Sequence, residues 1–391
     1  MNRGLSIIFF LLVFFYLLPS CEQKSEVPDA PEQPIAASFS RFDSLKENRI
    51  DAFFEGRFKK KKFNGVYLFR SDTLVHKGAL GVLNKKLKQD LKIETRFQLA
   101  SVSKPFTALA FLKLVEEEVF DLEKDIRTYL PDFPYENINP RLLLCHRSGL
   151  PNYMYLTDSL WLEAQVNDSL QGYKRSERVG EIAGSNALSH DELYKQVFLL
   201  SPSLYYTVNK KFSYCNSNFF LLAYLMEKKL QKPLELILDS LVFRPLGMNE
   251  SFLYSGMKLD TIPNTAIGYT ARYRSYSDFY LNGVLGDKGM FSSVDDMLSA
   301  AIGIENGFLK PDTYRWMIKK QTKTNKRGMF YGLGWRVKKY DGNKVIFHKG
   351  WWRGFKSYYI LMPEEKKTIV VLTNSTMGGF LKADELLGLL D

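Results

Sequence analysis

The stretch Phe97-Gln98-Leu99-Ala100-Ser101-Val102-Ser103-Lys104-Pro105-Phe106-Thr107 decides how the rest of the chain is read. A short extended run gives way there to a helix. Pro105 is acceptable in a first helical turn, where its missing N–H is not needed. Residues 106–115 are apolar apart from Thr107 and Lys113, the pattern of a helix buried on most sides. Ser101 and Lys104 are three apart and so share a helix face. The Ser101 hydroxyl also sits at the positive end of that helix, near free backbone N–H groups. A serine hydroxyl is a poor nucleophile without a base. A lysine serves as one only when neutral, a state that burial and nearby positive dipoles favour. The tetrapeptide pattern recurs at Ser255-Gly256-Met257-Lys258, where a glycine inside and no apolar helix after it point to a turn.

Two further stretches bear reactive side chains. In Phe212-Ser213-Tyr214-Cys215-Asn216-Ser217-Asn218 a phenol and an amide lie two apart, just before the apolar run 219–226. A tyrosine hydroxyl relays protons, and an asparagine side chain holds an amide or an ammonium. The same spacing at Tyr135-Glu136-Asn137 and Tyr280-Leu281-Asn282 leads into no buried helix. The third stretch is His348-Lys349-Gly350, which ends an extended run over 343–347. Gly350 is expected to let a ligand backbone approach the strand edge. A second copy, His76-Lys77-Gly78, belongs to an early hairpin, so the tripeptide informs only through its position.

Around these stretches the hydrophobic pattern changes twice. Residues 38–58 have helical periodicity, with Phe42, Leu45, Ile50, Phe53 and Phe54 as candidate buried positions. Residues 63–70 and 73–83 read as strands joined at Ser71-Asp72, and 95–99 as a short third. Residues 101 to about 298 are mostly helical, with long loops. Strands return at 332–339, 343–347, 355–362 and 367–373, and 378–390 reads as a closing helix. Strands, a helical insertion and strands again predict an α+β fold. One antiparallel sheet would be built from both chain ends (about 38–100 and 300–391) and flanked by N- and C-terminal helices. A large inserted all-α subdomain over about 101–299 would lie beside it, with a groove at the junction.

The N-terminus reads as an export signal. Arg3 precedes the apolar run 5–18, which is too short to span a bilayer comfortably, and Leu18-Pro19-Ser20-Cys21 ends it. That end is similar to a bacterial lipoprotein processing site, with Cys21 as the lipid-bearing thiol. Residues 1–20 are the expected signal, 21–37 a flexible tether, and 38–391 the folded domain. The chain carries +11 over 391 residues. Its densest basic cluster, residues 59–62, is expected to be a solvated turn between the first helix and the first strand. A nucleic-acid partner would want a binding fold with aromatic platforms around that cluster, and export argues against one. The excess charge favours anionic envelope surfaces or carboxylate-bearing substrates. Cys145 and Cys215 are expected as buried free thiols, although an oxidising compartment permits a disulfide. The four histidines show no metal-ligand spacing, and no cofactor is expected.

Taken in order, Ser101-x-x-Lys104, Tyr214-x-Asn216 and His348-x-Gly350 resemble the three-motif set of the class C β-lactamase, D-alanyl-D-alanine peptidase and esterase family. The stretches 142–150, 244–248, 286–297 and 331–335 are similar to the family as well. The resemblance implies a β-lactamase/transpeptidase-like fold and a serine hydrolase that forms an acyl-Ser101 intermediate. Lys104, Tyr214 and His348 would assist catalysis. Asn216, Lys349, Gly350 and Trp351 would bind substrate, and the backbone N–H groups of Ser101 and Trp351 would form the oxyanion hole. Substrates would be D-amino-acid peptides of peptidoglycan, small esters or β-lactams. A second reading is a penicillin-binding or sensor lipoprotein that keeps the fold without turnover. Histidine in place of lysine at position 348 is more similar to certain peptidases and esterases than to typical β-lactamases. Lys349 replaces a threonine that helps relatives bind the substrate carboxylate, and it could pair with a carboxylate or point away. His146 and Ser148 are expected to support the active-site floor.

Overall fold

A computed structural model describes residues 39–156, 187–256, 262–276 and 279–391. The expected signal, the tether, Cys21 and the Met257-Lys258 end of the rejected tetrapeptide lie outside the described residues.

Alternating side chains on strands from both chain ends build one eight-stranded antiparallel sheet. It draws on β1 (Gly65–Ser71), β2 (Leu74–Leu80), β8 (Thr322–Lys323), β9 (Phe330–Tyr331), β10 (Arg336–Tyr340), β11 (Asn343–Trp352), β12 (Phe355–Met362) and β13 (Lys367–Thr373). The strand order is β2-β1-β13-β12-β11-β10-β9-β8, so β1 pairs directly with β13, from Gly65↔Thr373 to Ser71↔Lys367. Because successive strand residues face opposite ways, each strand feeds two cores. Tyr67, Phe69, Phe347, Tyr358, Ile369 and Val371 pack under α1 (Ser44–Lys59) and the chain's last turn. Val66, Leu68, Ile346, Tyr359, Val370 and Leu372 face the helical insertion.

The terminal helices are shorter than the pattern predicts. Asp43 caps α1 by accepting from the Lys46 N–H, and Phe42, Ile50 and Phe54 are buried. Leu45 is 81% exposed, so its apolar character marks no contact. Lys60, Lys61 and Lys62 form the exposed turn into β1. Two short strands follow β2, namely β3 (Val82–Asn84) and β4 (Gln89–Asp90).

The insertion holds the buried α2 (Ser103–Glu116) with α3 (Pro140–Leu144), α4 (His190–Leu193), α5 (Ser217–Leu230) and α6 (Leu234–Leu238). Every residue of α2 from Ser103 to Leu112 is buried, as its apolar sequence requires. The insertion is not purely helical. It contributes β6 (Phe252–Leu253) and β7 (Met290–Ser292) to a small sheet with β5 (Phe97–Gln98), in the order β5-β7-β6. That sheet fixes the approach to the nucleophile, since the Leu99 N–H donates to the Met290 carbonyl at 2.8 Å. Next come α7 (Val294–Glu305) and α8 (Pro311–Ile318), and α9 (Ala383–Leu387) closes the chain. No helix of the described residues is long and apolar enough to cross a membrane. Cys145 and Cys215 are free and buried, and burial pushes their thiols up to about 12 and about 11.

Candidate active site

Ser101 occupies a single 3-10 turn, Ala100–Val102, between β5 and α2. Ala100, just before it, is held at φ +49°, in the left-handed region that costs a residue with a Cβ about 1–2 kcal/mol. The fold holds it there from both sides. A Cβ on Gly350 of β11 would lie 2.2 Å from the Leu99 carbonyl oxygen and 3.0 Å from Ala100 Cβ. Gly350 is therefore required so that β11 can pack against the chain's own nucleophile turn. Gly350 also lines the groove at Ser101.

Lys104 is completely buried, and its Nζ donates to Ser101 Oγ at 3.0 Å and to the Asp287 carbonyl at 2.8 Å. That carbonyl is aimed by a tight loop whose Gly286 and Gly289 adopt φ +92° and +93°. A Cβ on Gly286 would lie 2.6 Å from the Phe219 carbonyl of α5, so the loop presses on that helix. The side chains of the loop form a buried cluster. Lys288 Nζ donates to Tyr153 Oη at 2.6 Å and to the Val284 carbonyl at 2.9 Å, and Tyr153 donates to Asp287 at 3.0 Å. Burial first, with Lys104 nearby, draws the Lys288 ammonium down to about 8 against the pull of Asp287.

The Tyr214 ring lies beside this pair, 5.2 Å from Lys104 Nζ, 5.2 Å from the Arg336 guanidinium, 4.4 Å from the His146 ring and 6.2 Å from the His348 ring. His146 secures the Tyr214 loop twice. Its carbonyl accepts from the Ser213 N–H at 2.9 Å, and its Nδ1 accepts from the Cys215 N–H at 3.2 Å. Asn216 donates from Nδ2 to Met154 Sδ at 2.8 Å, and its buried Oδ1 has no hydrogen-bond partner.

The fixed Cys215 donor sets the direction of a longer chain of hydrogen bonds. Ser148 donates to Asn218 Oδ1 at 2.6 Å, and Asn218 Nδ2 donates to His146 Nδ1 at 3.0 Å. With two donors on Nδ1, the His146 proton is on Nε2, which donates to Tyr331 Oη at 3.2 Å. The Tyr331 hydroxyl then donates to His348 Nε2 at 3.0 Å, and His348 Nδ1–H donates to the Lys349 carbonyl at 3.0 Å. Both imidazoles are therefore neutral. Burial, aided by Lys104 and Arg336, holds both well below the usual histidine value. The Tyr331 phenol is raised, by burial first.

The motif residues thus gather as a group. Lys104 reaches Ser101 directly, while His348 stands beside Tyr214 with its hydrogen bonds given to Tyr331 and its own strand. Lys349 lines the groove at Ser101 as well. Strand alternation puts it on the side of Phe347, where its Nζ donates to the Leu381 carbonyl at 2.5 Å and lies 5.3 Å from the Tyr358 ring. Trp351 is exposed, and Trp352 donates to Asn282 Oδ1 at 2.9 Å. The β10 ladder on β11 ends at Arg336↔Phe347, whereas pairing with β12 continues to Trp352↔Phe355. From His348 onward β11 therefore has an open edge beside Ser101. A groove of about 910 Å³ runs here, lined by Ser101, Tyr214, Asn216, Lys288, Arg336 and Trp352 among others. Sequence reasoning assigned no role to Tyr331, Arg336 or Lys288, although it singled out the stretches holding Tyr331 and Lys288. Among the described residues no group of three or more His, Cys, Asp or Glu is placed to hold a metal ion.

A serine nucleophile bonded to a buried lysine, on a sheet assembled from both chain ends, defines a serine hydrolase with the β-lactamase/transpeptidase-like fold. The chain belongs to the Beta-lactamase family, whose model matches residues 50–390. It is 27% identical over 348 residues to penicillin-binding protein 4* of Bacillus subtilis, covering 84% of this chain and 72% of that protein. It is 24% identical over 298 residues to a D-aminopeptidase of Gluconobacter oxydans, covering 75% of this chain and 52% of the other, about half its length. The solved D-amino acid amidase from Ochrobactrum anthropi SV3, complexed with L-phenylalanine amide, superimposes with a TM-score of 0.69 at 20% identity. That match covers 89% of this chain and 99% of the amidase and shows a shared fold.

Proposed function

We propose that this protein is an exported, lipid-anchored hydrolase that cleaves D-amino-acid amides or peptides through an acyl-enzyme on Ser101. The observation that carries the reading is the 3.0 Å contact between Lys104 Nζ and Ser101 Oγ in a buried pocket. Ser101 Oγ attacks the carbonyl carbon, and its proton passes to the Lys104–Tyr214 pair. The N–H groups of Ser101 and Trp351 hold the oxyanion, each worth about 3 kcal/mol. The pair returns the proton to the leaving amine, and water then releases the acyl group. Asn216 meets the substrate amide, and its unpartnered Oδ1 supports that role. Neutral His348 supplies no positive charge, so the permanent cation beside Tyr214 is Arg336. The names of the D-aminopeptidase and D-amino acid amidase relatives support the D-configuration. Arg3, the apolar run 5–18 and Leu18-Pro19-Ser20-Cys21 support export and a lipid on Cys21.

The test is incubation of the protein and its Ser101→Ala variant with a fluorescent penicillin, D-phenylalanine p-nitroanilide and a p-nitrophenyl ester. Turnover of the anilide or the ester is expected, with a loss of about a thousandfold or more in the variant. Turnover that survives in Ser101→Ala, or stable acylation with no turnover of any probe, would overturn the reading; the latter outcome describes a sensor.

A further inference from the structure

The groove at Ser101 continues past the catalytic pocket. An arm of it runs between the turn before β9, the outer side of β10 and the segment leading into α9. Its lining is unbalanced in charge. Lys326, Arg327, Lys339 and Lys382 line it, and among the described residues none of the four has an ion-pair partner. The acid lining this arm, Asp384, is already paired with Lys338. Lys349 shows the field that results. Burial first, then the charges of Lys326, Lys338 and Arg336, draw its ammonium down to about 8.

Two other features make the arm more than a basic surface. Trp351 and Phe380 flank it and stay 52% and 51% exposed, an uncommon state for large aromatic side chains. The edge of β11 from His348 to Trp352 enters it with no strand among the described residues paired on the side away from β12. A sheet edge accepts an extended peptide through main-chain hydrogen bonds, while flanking pockets read its side chains.

We propose that this arm is a subsite for an acidic peptide, one bearing at least two carboxylates within a few residues of the bond Ser101 attacks. The proposal deepens the amide-hydrolase reading and rests on it. A phosphate polymer would satisfy the lysines but would leave the strand edge and the two aromatic faces unused.

The test is binding rather than turnover, so that it stands apart from whether the serine reacts. Full-length Ser101→Ala protein is titrated into a fluorescein-tagged tetrapeptide amide with two D-glutamates, and into its D-glutamine counterpart, by fluorescence anisotropy. The glutamate peptide is expected to bind about tenfold or more tighter, with that preference falling steeply in added salt. The same titration with Ser101→Ala/Lys326→Glu/Lys382→Glu, checked for an unchanged melting temperature, should reduce the preference to about twofold or less. Should the triple variant melt early, Ser101→Ala/Lys326→Gln/Lys382→Gln replaces it. Equal binding of the two peptides, or a preference that survives removal of the lysines, overturns the proposal. So does displacement by inorganic tripolyphosphate at the same concentration as by untagged glutamate peptide, which would reduce the arm to a charge sink. None of these outcomes bears on Ser101-dependent hydrolysis of a small ester, which tests the broader reading separately.

Discussion

Tyr331 holds two buried imidazoles in one protonation pattern by accepting from His146 and donating to His348. Removing its hydroxyl leaves a ring N–H and a ring nitrogen without partners in the interior. Tyr331→Phe is expected to cost about 1–3 kcal/mol for each stranded group, read from denaturant unfolding. Nitrogen NMR of the wild-type ring should place the His348 proton on Nδ1, and that preference should weaken in Tyr331→Phe. The histidines also carry a pH signature. Their native values lie below the ordinary 6.5, so the unfolded chain binds more protons once the pH falls under that value. Their contribution is complete above about pH 6.5 and is lost on acidification. The stability gap between wild type and His348→Gln should therefore narrow between pH 6.5 and 5.5, by up to about 1 kcal/mol. A gap that is constant or widens would show that the ring takes up its proton inside the fold. Buried Asp296, pushed up to about 6, acts in the opposite sense but is present in both proteins and cancels. Ser101 and Lys104 were legible from their three-residue spacing on one helix face, and Tyr214 through the resemblance of the ordered motifs to the family. Tyr331, Arg336 and Lys288 were not, because their partners are distant in sequence and only the folded sheet and loop bring them together.

At the level of elements, β11 and the turn at Ser101 form one unit, joined where Gly350 meets Leu99 and Ala100. Gly350→Ala forces a methyl group against a backbone oxygen that cannot swing aside. The expected result is destabilisation of about 1–3 kcal/mol together with loss of penicillin labelling. Both would be measured on the same preparation, and normal labelling at normal stability would show that the two elements move independently. β12 and β13 fall where hydrophobic alternation and the Pro363 turn place them. The closing helix does not. Residues 378–390 read as helical, yet only Ala383–Leu387 forms α9. Lys356 takes the carbonyls of Met377 and Gly378, Lys349 takes that of Leu381, and Tyr358 Oη accepts the Leu381 N–H. Side chains of the neighbouring strands thus satisfy backbone groups that a longer helix would have paired internally. Propensity along the chain contains no trace of that competition.

For the molecule as a whole, the order of strands, helices and strands was enough to predict one sheet drawn from both chain ends, because a lone hairpin cannot bury its apolar face. What composition could not give is where the +11 charge gathers. Its concentration beside the catalytic groove depends on β10, the preceding turn and the C-terminal segment meeting in space. The proposed anchor belongs to this scale too. Expressed in bacteria fed radiolabelled palmitate, the full chain should carry label and sediment with membranes. Cys21→Ala should carry none and shift to the soluble envelope fraction, because among the described residues no helix is long and apolar enough to hold the protein in a bilayer. Equal labelling of the two would remove the anchor from the account.

The register that joins β1 to β13 also governs when the protein becomes a catalyst. A polypeptide whose opening strand must wait for its closing one cannot complete its central ladder while still being synthesised. Contacts of such long range form late and slowly. The delay keeps the emerging chain threadable, a property that suits the export proposed for it. On that proposal, the reactive serine is armed only after β13 has crossed and met β1.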